Sequence, residues 1–172
     1  MSIAAQFGIH LGLILVGTEI SLTFVDPYDP SITPDAAFYP NVLNTCTFLL
    51  TMVATINTFA VNYRGKPFMQ DLRDNTMLKR SLQLCYAVLF ICALEVFPPL
   101  NDLFQLSPFP DTSIVLGADG AMDDDWIGSL EDAPPLAQLV GQAGFQLSMA
   151  GLLLVDTIAV FAVERIILRV FD

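Results

Sequence analysis

An all-α membrane protein, built as a four-span helical bundle, is the fold class that three features of this sequence predict. The chain is 54% hydrophobic and only 15% charged, where a soluble domain carries about 25% charged residues. Its apolar residues gather into four long runs, near the roughly 20 residues a helix needs to cross a bilayer. All seven lysines and arginines fall between residues 62 and 80 or after residue 164. Lipid offers no partner for backbone N–H and C=O groups, so each run must close its own hydrogen bonds as a helix.

The first span, 3–24, is interrupted only by His10 and Glu19. It lacks the basic start and small-residue cleavage site of a signal peptide, so a retained span is expected. Loop 25–40 is short, acidic and proline-rich, with Asp26-Pro27-Tyr28-Asp29-Pro30. The second span, 41–61, carries no charge. Loop 62–80 holds Arg64, Lys66, Arg73, Lys79 and Arg80. Gly65 and Pro67 break the helix there, and Met69, Leu72 and Thr76 follow at the spacing of a short interfacial helix. The third span, 77–96, is uncharged from Ser81 to Leu94. Loop 97–142 is long, with Pro98-Pro99, Pro108, Pro110, Pro134-Pro135 and the acidic run Asp123-Asp124-Asp125. Its middle has the composition of a poorly ordered loop. The fourth span, 143–163, contains Asp156, and the tail is 164–172.

Charge sets the expected orientation. Cytoplasmic connections carry an excess of lysine and arginine, so loop 62–80 and the tail are expected in the cytosol, along with both termini. Loops 25–40 and 97–142 then face the opposite compartment. Arg64, Lys66, Arg73, Lys79 and Arg80 are the expected cytosolic anchors at headgroup level. A net charge of −11 excludes nucleic acid as a partner. Cys46, Cys85 and Cys92 lie in apolar runs without metal-site spacing. An EF-hand loop starting at Asp123 would place Ile127 and Pro134 where oxygen ligands belong, so the acidic stretch reads as a solvated loop. No Ser-His-Asp set, Cys-His pair or phosphate-binding loop is present. No catalytic residue, metal site or bound cofactor is expected in this chain.

The candidate residues are the polar groups inside the spans. Asp156 is the most costly, at about 2.5–3.5 kcal/mol for a carboxylate near the bilayer centre, so it should face the bundle and have a partner. His10, Glu19 and the hydroxyls of the second span are its candidate partners. Asn44, Thr47, Thr51, Thr55, Thr58 and Asn62 recur every three or four residues, which places them on one helix face. Packing against neighbouring helices is the expected use of that stripe; a polar lining for a substrate path is the alternative. Glu19 shares a face with the small residues Gly8 and Gly12, which suggests an interhelical contact, or it sits near the far interface. His10 is read as a hydrogen-bonded bundle histidine, with a pH-sensitive role as the alternative. Gly144 and Ser148 form another small-residue seam.

Four stretches carry a family resemblance. TFAVNYRGKPF, residues 58–68, resembles the cytosolic turn after the eighth transmembrane helix of the type-five P-type ATPases, in their endoplasmic-reticulum branch, group A. QFGIHLGLI from Gln6 is similar to the Gln-Phe-x-x-His stretch of the seventh helix. FYPNVLNTCTFL from Phe38 is similar to the Phe-x-Pro-x-x-x-Asn start of the eighth. LLLVDTIAV from Leu152, followed by Glu164-Arg165, is similar to the Asp-bearing tenth. The family's Asp-Lys-Thr-Gly-Thr motif, nucleotide-binding domain and Thr-Gly-Glu loop have no counterpart in this chain. The resemblance therefore implies the carboxy-terminal membrane piece of such a pump, from most of the seventh helix through the tenth.

It implies, further, a multi-pass protein of the endoplasmic reticulum membrane whose parent uses ATP and magnesium to extract misinserted transmembrane helices. The partners implied are the lipid bilayer, the remaining helices and cytosolic domains of the parent, and the transmembrane segments of client proteins. These helices would act as a rigid support. The alternatives are a free-standing four-span scaffold or channel, or part of a cation-transporting P-type ATPase in which Asp156 would ligate the ion.

Overall fold

The computed structural model describes residues 2–24, 35, 37, 39–65, 67–72, 74–110 and 135–171. Among these, six helices form in the order α1 (Ser2–Thr23), α2 (Val42–Asn62), α3 (Thr76–Ala93), α4 (Pro98–Leu103), α5 (Pro135–Ala143) and α6 (Phe145–Phe171). The fold is an all-α membrane bundle. α1, α2 and α3 are long and apolar enough to cross a membrane. α6 is longer still, with Asp156 as the single charge between Phe145 and Val163.

Local chemistry sets the helix ends. Asn41 caps α2 by accepting the Asn44 N–H through its side chain at 2.8 Å. Asn75 does the same for Leu78 at the start of α3, at 3.0 Å. Each cap satisfies an N–H that has no partner inside the helix. Gly144, at φ +87°, closes α5 in the left-handed conformation that glycine adopts without a steric penalty, and α6 begins at the next residue.

α1, α2 and α6 pack against one another as a three-helix core, and α3 lies against α2 and α6. α1 runs antiparallel to both neighbours. Ser2 meets Glu164 and Gln6 meets Asn62 at one end, while Phe24 packs edge-on to Phe145 at the other, with ring centroids 5.6 Å apart. The described basic residues Arg64, Lys79, Arg80, Arg165 and Arg169 follow or flank the helix termini at the first of these ends, which is called the basic end. The apolar core fills the other half, around Ile20, Phe24, Leu49, Leu50, Val53, Phe145, Met149 and Leu153.

Several boundaries differ from the sequence expectation. The third span stops at Ala93 rather than 96, because Glu95 takes a positive φ of 51° and turns the chain. Both ends of loop 97–142 are ordered. Pro98 and Pro99 open the short helix α4, where a proline at the first turn loses no hydrogen bond. A strap over 104–110 then folds back, with Leu106 buried and the Phe109 ring stacked 4.9 Å from that of Phe145. Residues 111–134, with Asp123, Asp124, Asp125, Glu131 and Asp132, lie outside the described residues, as does most of loop 25–40.

α6 continues as helix through Glu164 and Arg165 to Phe171, past the expected end of the fourth span at 163, since no glycine or proline follows Gly151 to interrupt it. Among the described residues from Met69 to Asn75 no interfacial helix forms. Asp71 accepts the N–H groups of Asp74 and Asn75 in a turn, and α3 starts only at Thr76. Gly65 is buried in this connection, where any Cβ would overlap the backbone of Gln70.

Candidate functional site

Helical periodicity stacks polar side chains along one seam of the α1–α2–α6 core. Ser2, Gln6 and His10 recur every four residues on α1, and residues four apart share a helix face. Thr58 and Asn62 do the same on α2. Asp156 and Glu164, two turns apart on α6, complete the seam.

Asp156 is 2% exposed and forms the centre of this seam. His10 Nδ1 lies 2.8 and 2.9 Å from its two carboxylate oxygens. The Asn57 amide donates to Asp156 Oδ2 at 2.8 Å and to Thr157 Oγ1 at 3.2 Å. Tyr86, from α3, donates its hydroxyl to Asn57 Oδ1 at 2.5 Å. On the other side of the imidazole, Thr58 Oγ1 lies 3.2 Å from His10 Nε2. The carboxylate thus bonds directly to α1 and α2, and the node reaches α3 through Asn57 and Tyr86. Hydrogen bonds to a charged group contribute about 1.5–3 kcal/mol each, so these contacts are of the right order to offset the insertion cost of the carboxylate.

A second cluster lies about two turns toward the basic end. The buried Gln6 amide donates to Ser2 Oγ at 2.8 Å and to Glu164 Oε2 at 3.1 Å, and accepts from Asn62 Nδ2 at 2.8 Å. The Ser2 hydroxyl also donates to Glu164. Arg64 reaches Glu164 at 3.9 Å. Its guanidinium stays largely in solvent, so this contact contributes little. At the far end, Glu95 fastens the strap, accepting from Phe109 N and from Gln146 Nε2, each at 2.9 Å.

The structure sorts the sequence candidates. It brings Asp156 and His10 together. It leaves Glu19 exposed, and the face of Gly8 and Gly12 meets nothing within 4 Å. The close helix approach is at Gly17 instead, where a Cβ would overlap the Leu50 side chain. Asn44, Thr51 and Thr55 are exposed. Thr55 donates to its own helix at the Thr51 carbonyl, at 2.8 Å. Thr51, Thr55 and Thr58 line an open groove of about 550 Å³ between α1 and α2, walled by Phe7, Leu11 and Phe59 with His10 at its floor. The packing expected of this stripe is thus not met within the chain at Thr51 and Thr55, because the helix rotation that buries Asn57 turns them outward. Arg64, Lys79 and Arg80 are exposed at the basic end, while Lys66 and Arg73 lie outside the described residues.

Asn57 and Tyr86 were missed. Asn57 falls off the Thr51–Thr55–Thr58 stripe, one position before Thr58, so the spacing did not select it. Its signal was available all the same: an amide inside a charge-free span is one of few groups able to meet a buried carboxylate. Chemically, the node can clamp helices and hold a proton. Among the described residues no three His, Cys, Asp or Glu side chains converge as metal ligands, and the oxygens of Asp156 already serve His10 and Asn57.

No family model matches the chain. Curated proteins do. The "Endoplasmic reticulum transmembrane helix translocase" of Saccharomyces cerevisiae is 33% identical over 111 residues, 64% of this chain and 9% of the relative. The protein of that name in Aspergillus fumigatus, spfA, is 32% identical over 108 residues, 63% of this chain and 8% of the relative. The "Probable manganese-transporting ATPase PDR2" of Arabidopsis thaliana is 33% identical over 110 residues, 64% and 9% respectively. These matches bear out the resemblance to the carboxy-terminal membrane part of the type-five P-type ATPases. The chain matches less than a tenth of the length of these relatives.

Proposed function

We propose that this chain is the membrane support of an endoplasmic-reticulum P-type ATPase that uses ATP and magnesium, bound elsewhere in the parent, to extract misinserted transmembrane helices. One observation carries the support role: Asp156 gathers groups from α1, α2 and α6, and Tyr86 of α3 through Asn57, into one bonded node. Bonds of fixed direction resist the sliding and rotation of helices, which is what a buttress beside moving helices requires. The names of the fungal relatives support the extraction activity. The partners proposed are the bilayer, the other helices and cytosolic domains of the parent, and client transmembrane segments. The basic end is proposed to face the cytosol, with both termini.

The name of the Arabidopsis relative favours a second reading, cation transport. It would need the oxygens of Asp156 free to bind an ion, and here they are engaged. ATP hydrolysis by the full-length parent separates the two. With magnesium present throughout, added manganese or calcium should leave hydrolysis unchanged. Activation by one cation, abolished in D156N, would replace the support reading with transport.

Orientation is tested separately in intact microsomes, on a cysteine-free background. A cysteine in place of the 95% exposed Phe68 should react with a membrane-impermeant reagent added outside, and one in place of Asp102 should not. Labelling at both positions would refute the proposed topology.

A further inference from the structure

The connection between α2 and α3 is braced by its own backbone. The Gly65 carbonyl accepts the Met69 N–H at 2.6 Å, and the Tyr63 hydroxyl donates to the Gln70 carbonyl at 3.2 Å. Gly65 is buried against the Gln70 backbone, an approach that any Cβ would block. The Asp71 carbonyl then closes the next turn on the Asp74 and Asn75 N–H groups, and Asn75 caps α3. The tip of this loop is apolar. Pro67, Phe68 and Met69 are all exposed, Phe68 at 95% and Met69 at 63%. Arg64, at the foot of the turn, keeps 74% of its side chain in solvent. We propose that this loop is a docking knob: Phe68 and Met69 enter an apolar pocket, rimmed by carboxylates facing Arg64, on the cytosolic part of the same parent polypeptide. The inference rests on the reading of this chain as the membrane support of a larger ATPase, with its basic end in the cytosol.

Charge and composition select a protein partner over the lipid surface. Single exposed apolar side chains are ordinary, but here three adjoin on one turn. A segment that docks on an anionic leaflet uses a surplus of basic residues. Between Gly65 and Asn75 there is none, because Asp71 and Asp74 offset Lys66 and Arg73. Phe, Met and Arg are instead the residues in which protein interfaces are enriched, and aromatic and arginine anchors carry most of the energy there. The bracing adds to this. A loop held in one shape before contact loses little freedom on binding, so more of the contact energy remains as affinity.

The partner lies outside this chain. The long connections 25–40 and 97–142 leave the bundle at the opposite, strap end. The stretch matched in the curated relatives is less than a tenth of their length, so on the proposed reading most of the parent is available as the partner. The loop joins α2 to α3, and the Asp156 node ties α2 to α1 and α6. A contact at Phe68 thus gives the cytosolic part a fixed point on the support.

The test places the photoreactive p-benzoylphenylalanine at position 68 of the full-length parent, with irradiation in microsomes and mapping by mass spectrometry. Phe68 is exposed, so its replacement leaves the bundle intact. The expected adduct joins residue 68 to a cytosolic stretch of the same polypeptide that precedes Met1, and R64Q should lower its yield. An adduct with lipid alone, with a second copy or with another protein overturns the proposal. So does the lack of any adduct from position 68 and from position 69 used in its place, or a yield that R64Q leaves unchanged. ATP hydrolysis by the same preparation keeps the two readings apart: hydrolysis without the adduct sinks the docking alone, and a parent without hydrolysis sinks the ATPase reading on which it rests.

Discussion

The two halves of the α1–α2–α6 interface are held by different forces. Toward the basic end, Ser2, Gln6, His10, Asn57, Asn62, Asp156 and Glu164 are joined by directional bonds. Toward the strap end, Ile20, Leu49, Leu50, Val53, Phe145, Met149 and Leu153 meet through shape alone, and the hydroxyls of Thr18 and Ser21 turn back to their own helix carbonyls. In a bilayer the surrounding tails are as apolar as leucine, so burying an apolar face against another helix is no longer driven by water. The strap half therefore depends on close fit and the polar half on pairing. The polar half selects which residues face one another, and the apolar half selects how near the helices come.

The largest effect should come from cutting the polar half at its centre. D156A leaves His10 and Asn57 buried without their acceptor, and each buried polar group left unsatisfied costs about 1–3 kcal/mol. Unfolding in mixed micelles by titration with sodium dodecyl sulfate should show a loss of this order, and a loss below about 1 kcal/mol would mean the seam is not what holds the core. A smaller effect is expected in the apolar half. G17V drives a side chain into Leu50, and overpacking costs about 1–3 kcal/mol. The same titration on G17V combined with L50A should recover part of that loss, because the overlap is with that one side chain. If L50A worsens G17V, the fit is set elsewhere. The smallest effect should be that of T55V, at about 0.5 kcal/mol or less, since the residue is exposed and bonds only its own helix. A loss as large as that of G17V would place Thr55 inside a contact that the structure does not show.

What could be read in advance differs between these halves. The long apolar helices were legible because apolar runs sum residue by residue, and the clustering of basic residues was legible for the same reason. Asp156 was recognisable as the residue in need of a partner, and His10 as one of the candidates. The choice of His10 over Glu19 was not legible. Both lie on one helix, nine residues apart, and only the rotation and depth of α1 against α6 decide between them. The α2 stripe was right in part: Thr58 and Asn62 bond to His10 and Gln6 of α1, but Thr51 and Thr55 turn outward, because period alone does not tell how far the inward face extends; the buried face is that of Leu49, Val53, Asn57 and Ala60. The strap was hidden by its composition. Its order comes from partners distant in sequence, Thr45 with Ser107 and Phe145 with Phe109, and no local pattern announces them.

The sequence by itself determined that the chain forms helices in a membrane and where its basic residues cluster, because hydropathy and charge act on each segment alone. Only the tertiary structure decided that Asn57 and Tyr86 stand beside Asp156, that Gly17 rather than Gly8 marks the close approach, and that the threonines line an open groove. Those outcomes depend on the register and rotation of four helices at once. A helix presents several polar groups at similar spacing, and the one that is satisfied is whichever its neighbours can reach.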